Sequence, residues 1–219
     1  MGRTKQRYAE YFQTLFIDRQ IIPTTQAEIM HPLLYLLEHP DNSVKKAFNL
    51  VFFDAAGEHY DNVDNEKIRE YHRYLANAAG IILLLDPNGR ESIPQMHLLD
   101  KLVEDMESFT NTESVPLAVT LSKADEMAEF MSYFSAEMPA YTEDWNRNSK
   151  RVEEWFGDDR RIVNVDKFRT DFFAISALGK VPVEDKDEMG RDVIKIPDGP
   201  SPIHVIDPLL WILSEQHLI

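Results

Sequence analysis

Val115-Pro-Leu-Ala-Val-Thr-Leu-Ser-Lys-Ala-Asp125 decides the fold. From Val115 to Leu121 nearly every residue is apolar, with no polar face to turn to water. That pattern suits a central strand of a parallel sheet covered by helices on both sides. Ser122-Lys123-Ala124-Asp125 follows at once, so a hydroxyl, an amine and a carboxylate stand just past the strand's carboxyl end.

Gly80-Ile-Ile-Leu-Leu-Leu85 has the same character and ends in Asp86-Pro87. Two further runs read as strands. Ala47 to Phe53 leads into Asp54-Ala-Ala-Gly57-Glu58, and Asp171 to Ser176 leads into Ala177-Leu178-Gly179. Helical stretches lie between them at Lys67–Asn77 and Ile93–Phe109. The latter places Met96, Leu99, Leu102, Val103 and Met106 at spacings of three and four. A last helix is expected over Ile206–Leu218, after Pro202. Helical signals also mark Tyr8–Phe16 and Leu33–His39, joined through Ile22-Pro-Thr-Thr25. Strands alternating with helices predict right-handed βαβ units and a three-layer α/β fold with a mostly parallel sheet. Residues 1–219 form one domain on this reading. Glu126–Phe168 is a helical insertion within it, and Val181–Pro202 is a loop.

Composition narrows the chemistry. The chain has 219 residues, 43% of them hydrophobic, enough for one packed core. It contains no cysteine, which removes disulfides, thiolate metal sites and cysteine nucleophiles. A net charge of −15 disfavours a nucleic-acid backbone as partner and suits a solvated acidic exterior. The longest apolar stretch, Ala78 to Leu85, is far short of the roughly 18 residues that span a bilayer. No signal-peptide core follows the basic N-terminus, so a cytoplasmic location is expected. The seven histidines form neither HxxxH nor HExxH, which argues against a zinc site.

Ligands of open α/β sheets bind beyond the carboxyl ends of the strands. Taken singly, the residues there have ordinary explanations as caps and turn formers. Their order along successive strand ends is the stronger signal. Asp54-Ala-Ala-Gly57 fits DxxG, Ser122-Lys-Ala-Asp125 fits [NTS]KxD, and Ser176-Ala177 fits SA. In that order the chain resembles the Ras-like and translation-factor-related P-loop GTPases from about Phe48 to Ile219, the Glu126–Phe168 stretch being an insertion. Asp54-Ala-Ala-Gly57-Glu58, Pro23-Thr24-Thr25 and Asp207-Pro-Leu-Leu-Trp211 are, more narrowly, similar to the bacterial double-GTPase type.

The resemblance implies a guanine nucleotide, GTP or GDP, with Mg²⁺. It implies that Asp54 holds the metal through water, that the Gly57 amide senses the γ-phosphate, and that Thr24 or Thr25 is the second metal ligand. It assigns base recognition to Ser122, Lys123, Asp125, Ser176 and Ala177. The Asp125 carboxylate would accept from guanine N1 and N2, which adenine does not match, while the Lys123 stem lies along the purine and the Ala177 amide meets O6. Glu58 stands where many relatives carry a water-orienting glutamine, which makes it the candidate catalytic residue.

One part of the pattern is missing from these residues. A phosphate-binding GxxxxGK[ST] needs glycines five apart, and the eight glycines, at 2, 57, 80, 89, 157, 179, 190 and 199, offer no such pair. Two readings follow: a piece of a longer GTPase, which the contiguity of the missing unit favours, or a natural pseudo-GTPase. In either case the chain alone is expected to bind Mg·GTP weakly or not at all, and to hydrolyse GTP only if the missing loop is supplied. The alternative function is a non-catalytic interaction module with an unidentified protein partner at Glu126–Phe168. A receiver-like phosphoacceptor domain fits less well, because its acidic pair after the first strand has no counterpart.

Overall fold

Pro116–Leu121 is a strand buried at every position. A computed structural model describes residues 2–20, 33–38, 47–52, 77–86, 104, 107–108, 114–127, 153–154, 168–187 and 189–218. Its strands are β1 (Leu33–Glu38), β2 (Ala47–Phe52), β3 (Ile81–Leu85), β4 (Pro116–Leu121), β5 (Arg169–Ala174), β6 (Val183–Lys186) and β7 (Asp192–Lys195). Helix α1 spans Gly2–Phe12 and continues into a wider helical turn at Gln13–Ile17, and helix α2 spans Asp207–Glu215.

β3, β4 and β5 form a parallel sheet in that order, with Leu85 beside Leu121 and Leu121 beside Ala174. β4 is central and buried at every position. Pro116 is its first residue, where a missing backbone N–H interrupts the ladder least. Alternation divides the apolar side chains between two faces. Ile81, Leu83, Leu85, Leu117, Val119, Leu121, Phe172 and Ala174 form one core cluster. Ala118 and Phe173 belong to the other, where they meet Trp211 and Ile212 of α2. The Phe173 and Trp211 rings lie 5.7 Å apart, tilted by 57°.

Helix α2 starts after Ile206, with Pro208 in its first turn, where a missing N–H costs least. Its far end is tied to the amino edge of the sheet. Arg169 Nη1 donates to Glu215 O at 3.3 Å and pairs with Glu215 Oε2 at 3.1 Å, while Gln216 Nε2 donates to Ala79 O at 2.8 Å. The helix therefore runs antiparallel to the strands, back from the edge at which they end. Gly80 lets it approach: a Cβ there would lie 2.4 Å from Ile212 Cγ2.

Two expectations from the sequence are corrected. Leu33–His39 was expected to be helical, but Leu33–Glu38 is strand β1, antiparallel to β2. The apolar run Leu33–Leu37 has no period to separate helix from strand, and the ladder to Ala47–Phe52 decides the matter. Val181–Pro202 was expected to be a loop, yet it contains the antiparallel hairpin β6–β7. Its turn is closed by Asp187, whose carboxylate accepts from the Met189 and Arg191 amides, each at 2.9 Å, and from Arg191 Nε at 2.6 Å. These donors hold the Asp187 carboxyl below its usual range, chiefly through the Arg191 amide. The fold is α/β as expected, but the described strands fall into three sheets, of which the β3–β4–β5 sheet is parallel. The helices expected over Lys67–Asn77, apart from Asn77 in a turn, and in most of Ile93–Phe109 and Glu126–Phe168 lie outside the described residues; within those last two stretches, Glu104, Glu107, Ser108, Glu153 and Glu154 are helical.

The Gly80–Ile212 contact gives a direct test of this packing. Gly80→Ala should destabilise the chain by about 1–3 kcal/mol through overpacking. Combined with Ile212→Ala, it should cost less than the sum of the single changes, because the truncated side chain makes room for the new methyl. Chemical denaturation of the wild type, both single variants and the double variant measures this.

Candidate functional site

The carboxyl ends of β3, β4 and β5 are joined by backbone hydrogen bonds that continue past the strands. The Ser122 amide donates to Leu85 O at 2.8 Å, and the Ile175 amide donates to Leu121 O at 2.8 Å. The chain from β4 then turns toward β5, and the Ala124 amide donates to Ile175 O at 3.0 Å. Ile175 thus accepts from Ala124, past β4, and donates to Leu121, the last residue of β4. Ser122-Lys-Ala-Asp125 and Ser176-Ala177 are brought side by side at one edge of the sheet.

The turn after β4 rests on two local features. Lys123 adopts a left-handed conformation (φ 53°, ψ 35°), reversing the chain before the short helical turn Ala124–Glu126. Ala124 is buried and packs into the core cluster, which anchors that turn while Asp125 beside it stays half-buried. The Ser122 hydroxyl donates to Leu85 O at 3.0 Å, reinforcing the join to β3.

Lys123 reaches across the strand tips. Its Nζ donates to Asp86 Oδ2 at 2.6 Å. This bond, followed by the charge of Asp86 and smaller contributions from Glu126 and Asp125, raises the lysine's pKa against a lowering by partial burial. The ammonium is therefore charged throughout the neutral range. Asp86 was visible in the sequence as a strand-end residue but carried no assigned role. Its signal was its position after a fully apolar strand.

Ser176 and Ala177 divide the loop after β5 between structure and access. Ser176 is buried (1% exposed), and its hydroxyl accepts the Gly179 amide at 2.6 Å. Ala177 next to it is exposed. The serine braces the loop, and the small residue faces outward. Asp54, Gly57, Glu58, Thr24 and Thr25 lie outside the described residues. Among the described residues, no group of three or more histidines or carboxylates stands close enough to hold a metal ion. None of their helices is long and apolar enough to cross a membrane.

The parallel sheet, with Lys-x-Asp and Ser-Ala loops adjoining at its carboxyl edge, agrees with what the family comparison finds. Residues 8–171 match the model of the family described as Double-GTPase 2. The chain belongs to this family. The match takes in β1 to β4 and the start of β5, and with them Asp54-Ala-Ala-Gly57 and Ser122-Lys-Ala-Asp125. Ser176-Ala177, the β6–β7 hairpin and α2 lie beyond the matched residues of this Double-GTPase 2 chain. No curated protein matches it. Membership makes the chain a GTPase-like domain, in keeping with the α/β architecture.

The Lys123–Asp86 pair is half-exposed, with 53% and 31% of the two side chains accessible, and water screens such a pair to about 0–1 kcal/mol. Lys123→Met should therefore lower stability by less than about 1 kcal/mol. Because the folded pKa is raised, the pair's contribution is fully present below the lysine's unfolded pKa and is lost as pH rises through the folded value. The gap between wild type and variant should stay level through neutral pH and close under strongly alkaline conditions, as read by denaturant titration at a series of pH values.

Proposed function

We propose that the carboxyl edge of the β3–β4–β5 sheet is a guanine-recognition site, and that this chain is the base-binding part of a GTP-dependent switch. The observation that carries the reading is the Ala124–Ile175 hydrogen bond of 3.0 Å, which sets a half-buried carboxylate, Asp125, on the turn next to the exposed Ala177. Guanine offers N1–H and an N2 amine as donors and O6 as acceptor. A carboxylate beside a backbone amide in an open loop is complementary to that set, whereas adenine has an amine at C6 and no N1–H. Lys123, held by Asp86 past β3, would lay its aliphatic stem along the purine ring.

Asp54 and Thr24 or Thr25 are the residues that would hold Mg²⁺, with Gly57 near the γ-phosphate and Glu58 near the attacking water. The metal would offset charge on the phosphates when bound. The phosphate side is the weak half of the site. A phosphate-binding loop provides a row of backbone N–H donors and a lysine, and no GxxxxGK[ST] occurs in these 219 residues. Base recognition then carries most of the affinity, GDP and GTP bind weakly and alike, and the chain alone does not turn GTP over. The bacterial setting and cytoplasmic location suggested by the sequence accord with this role. So does an acidic surface that avoids nucleic acid.

Calorimetry with GDP, GTP and ADP tests the reading. The wild type should bind the two guanine nucleotides within a few-fold of each other and bind ADP more weakly. Asp125→Ala should reduce guanine affinity by about tenfold or more, the scale of a lost charge-assisted hydrogen bond. Asp125→Asn should improve binding of xanthosine diphosphate, because the amide donates where the carboxylate accepted and xanthine has a carbonyl in place of the C2 amine. Equal affinity for ADP and GDP in the wild type, or indifference to both substitutions, overturns the proposal.

A further inference from the structure

The segment between the hairpin and α2 is tied at its two ends to different parts of the molecule. At one end, Lys195 forms an antiparallel bridge with Gln20, and the Ile196 amide donates to Arg19 O at 2.9 Å. Ile196 is 1% exposed, so this end is fixed by packing as well as by hydrogen bonding. At the other end, Ser201 N–H donates to Leu178 O at 2.8 Å, while Ser176 and Ile203 exchange amide hydrogen bonds of 3.0 and 2.8 Å. Between the two, Lys180 Nζ donates to Pro197 O at 3.2 Å and pairs with Asp198 at 3.6 Å.

Gly179 permits the close approach at the second end. It has φ +67°, and a Cβ there would lie 1.8 Å from Ser201 O. The intervening chain is stiff. Ile196-Pro197-Asp198-Gly199-Pro200-Ser201-Pro202 has φ preset at three prolines, and the turn at Asp198 and Gly199 is closed by the Gly199 amide on Ile196 O at 3.1 Å. Past Ile203 the chain is held again: His204 Nδ1 lies 2.7 Å from Asp207 Oδ2, and α2 follows against the sheet.

We propose that residues 195–203 are a strap that couples the chain at Arg19–Gln20 to the loop Ser176–Gly179, so that neither end shifts without the other. A stiff segment bonded at both ends transmits displacement, whereas a flexible one would absorb it. Ser176–Gly179 carries Ala177. The strap thus bears on the loop of the base site, a consequence that rests on the function proposed above. The mechanical coupling does not rest on it, and hydrogen exchange on the nucleotide-free full chain tests it separately.

Ile196→Ala loosens the far end of the strap. It should raise exchange about fivefold or more at the Ser176, Ser201 and Ile203 amides, while Leu117–Leu121 in β4 keep their protection. Gly179→Ala disturbs the near end, and by reciprocity it should raise exchange at the Ile196 amide by a similar factor. Lys180→Ala removes one mid-strap contact without touching the core. It should produce the same pattern at roughly twofold, and it decides the matter if either of the other variants unfolds β4. A rise confined to the mutated end, with the opposite end unchanged, overturns the proposal.

Discussion

The placement of β4 is the constraint on which the rest of the structure depends. Every residue from Pro116 to Leu121 is buried, including Thr120, whose hydroxyl donates to Ala118 O at 3.3 Å instead of reaching water. A strand paired on both sides and packed on both faces has no freedom of register, because a slip by one residue would exchange its two faces. Its carboxyl end is therefore fixed against β3 and β5 before any side chain there is considered. The hydrogen bonds Ser122 to Leu85 and Ile175 to Leu121 extend this certainty beyond the strands. The positions of Lys123, Asp125 and Ala177 are consequences of core packing more than of contacts among themselves.

This explains why the central strands could be read in the sequence and some other elements could not. Gly80–Leu85 and Val115–Leu121 are apolar but for Thr120 and end at charged or turn-forming residues, so both type and boundaries were legible, to within a residue. The fourth run was displaced slightly: β5 begins at Arg169, earlier than the apolar residues suggest. Arg169 reaches Ser114 O at 3.3 Å and Glu215, and a charged residue tied to both neighbours can occupy a strand start that hydrophobicity does not mark. Leu33–Glu38 failed for the opposite reason. The apolar run Leu33–Leu37 carries no period, and only the distant partner Ala47–Phe52 makes it a strand. The β6–β7 hairpin is hidden by charge. Val183-Glu-Asp-Lys186 and Asp192-Val-Ile-Lys195 hardly look like strands, but their cross-strand ion pairs, Lys186 with Asp192 and Lys195 with Asp185, supply what alternation does not.

The candidate site was legible to the extent that it consists of strand ends. Motif order located Ser122–Asp125 and Ser176–Ala177, and the fold brings those two groups together. The sequence could not reveal how each group is held. Ser176 is a brace under Gly179, Ser122 is a clasp onto β3, and Asp86 is the partner of Lys123. The last two roles depend on contacts between residues 37 apart in the chain, which no local pattern encodes. The strap had weaker signals still. Three prolines in Ile196–Pro202 read as an ordinary loop until hydrogen bonds at both ends give the stiffness a purpose.

Charge then separates the two halves of the proposed nucleotide site. The chain carries −15, and a nucleotide triphosphate is itself a polyanion. At the base end a carboxylate is an asset, because guanine presents donors and no net charge there, and Asp125 adds specificity without repulsion. At the phosphate end the same surplus is a liability. Charges within the roughly 8 Å screening length of physiological salt still repel, so local cations and aligned amides must outweigh the acidic surroundings. Lys123 does not help with this, since its ammonium is already committed to Asp86 at the strand tips. An acidic scaffold can thus retain purine recognition on its sheet edge with few residues, while triphosphate binding requires a dedicated cationic loop. The two abilities are physically separable, and on the function proposed above this sheet edge would serve the base-recognition half.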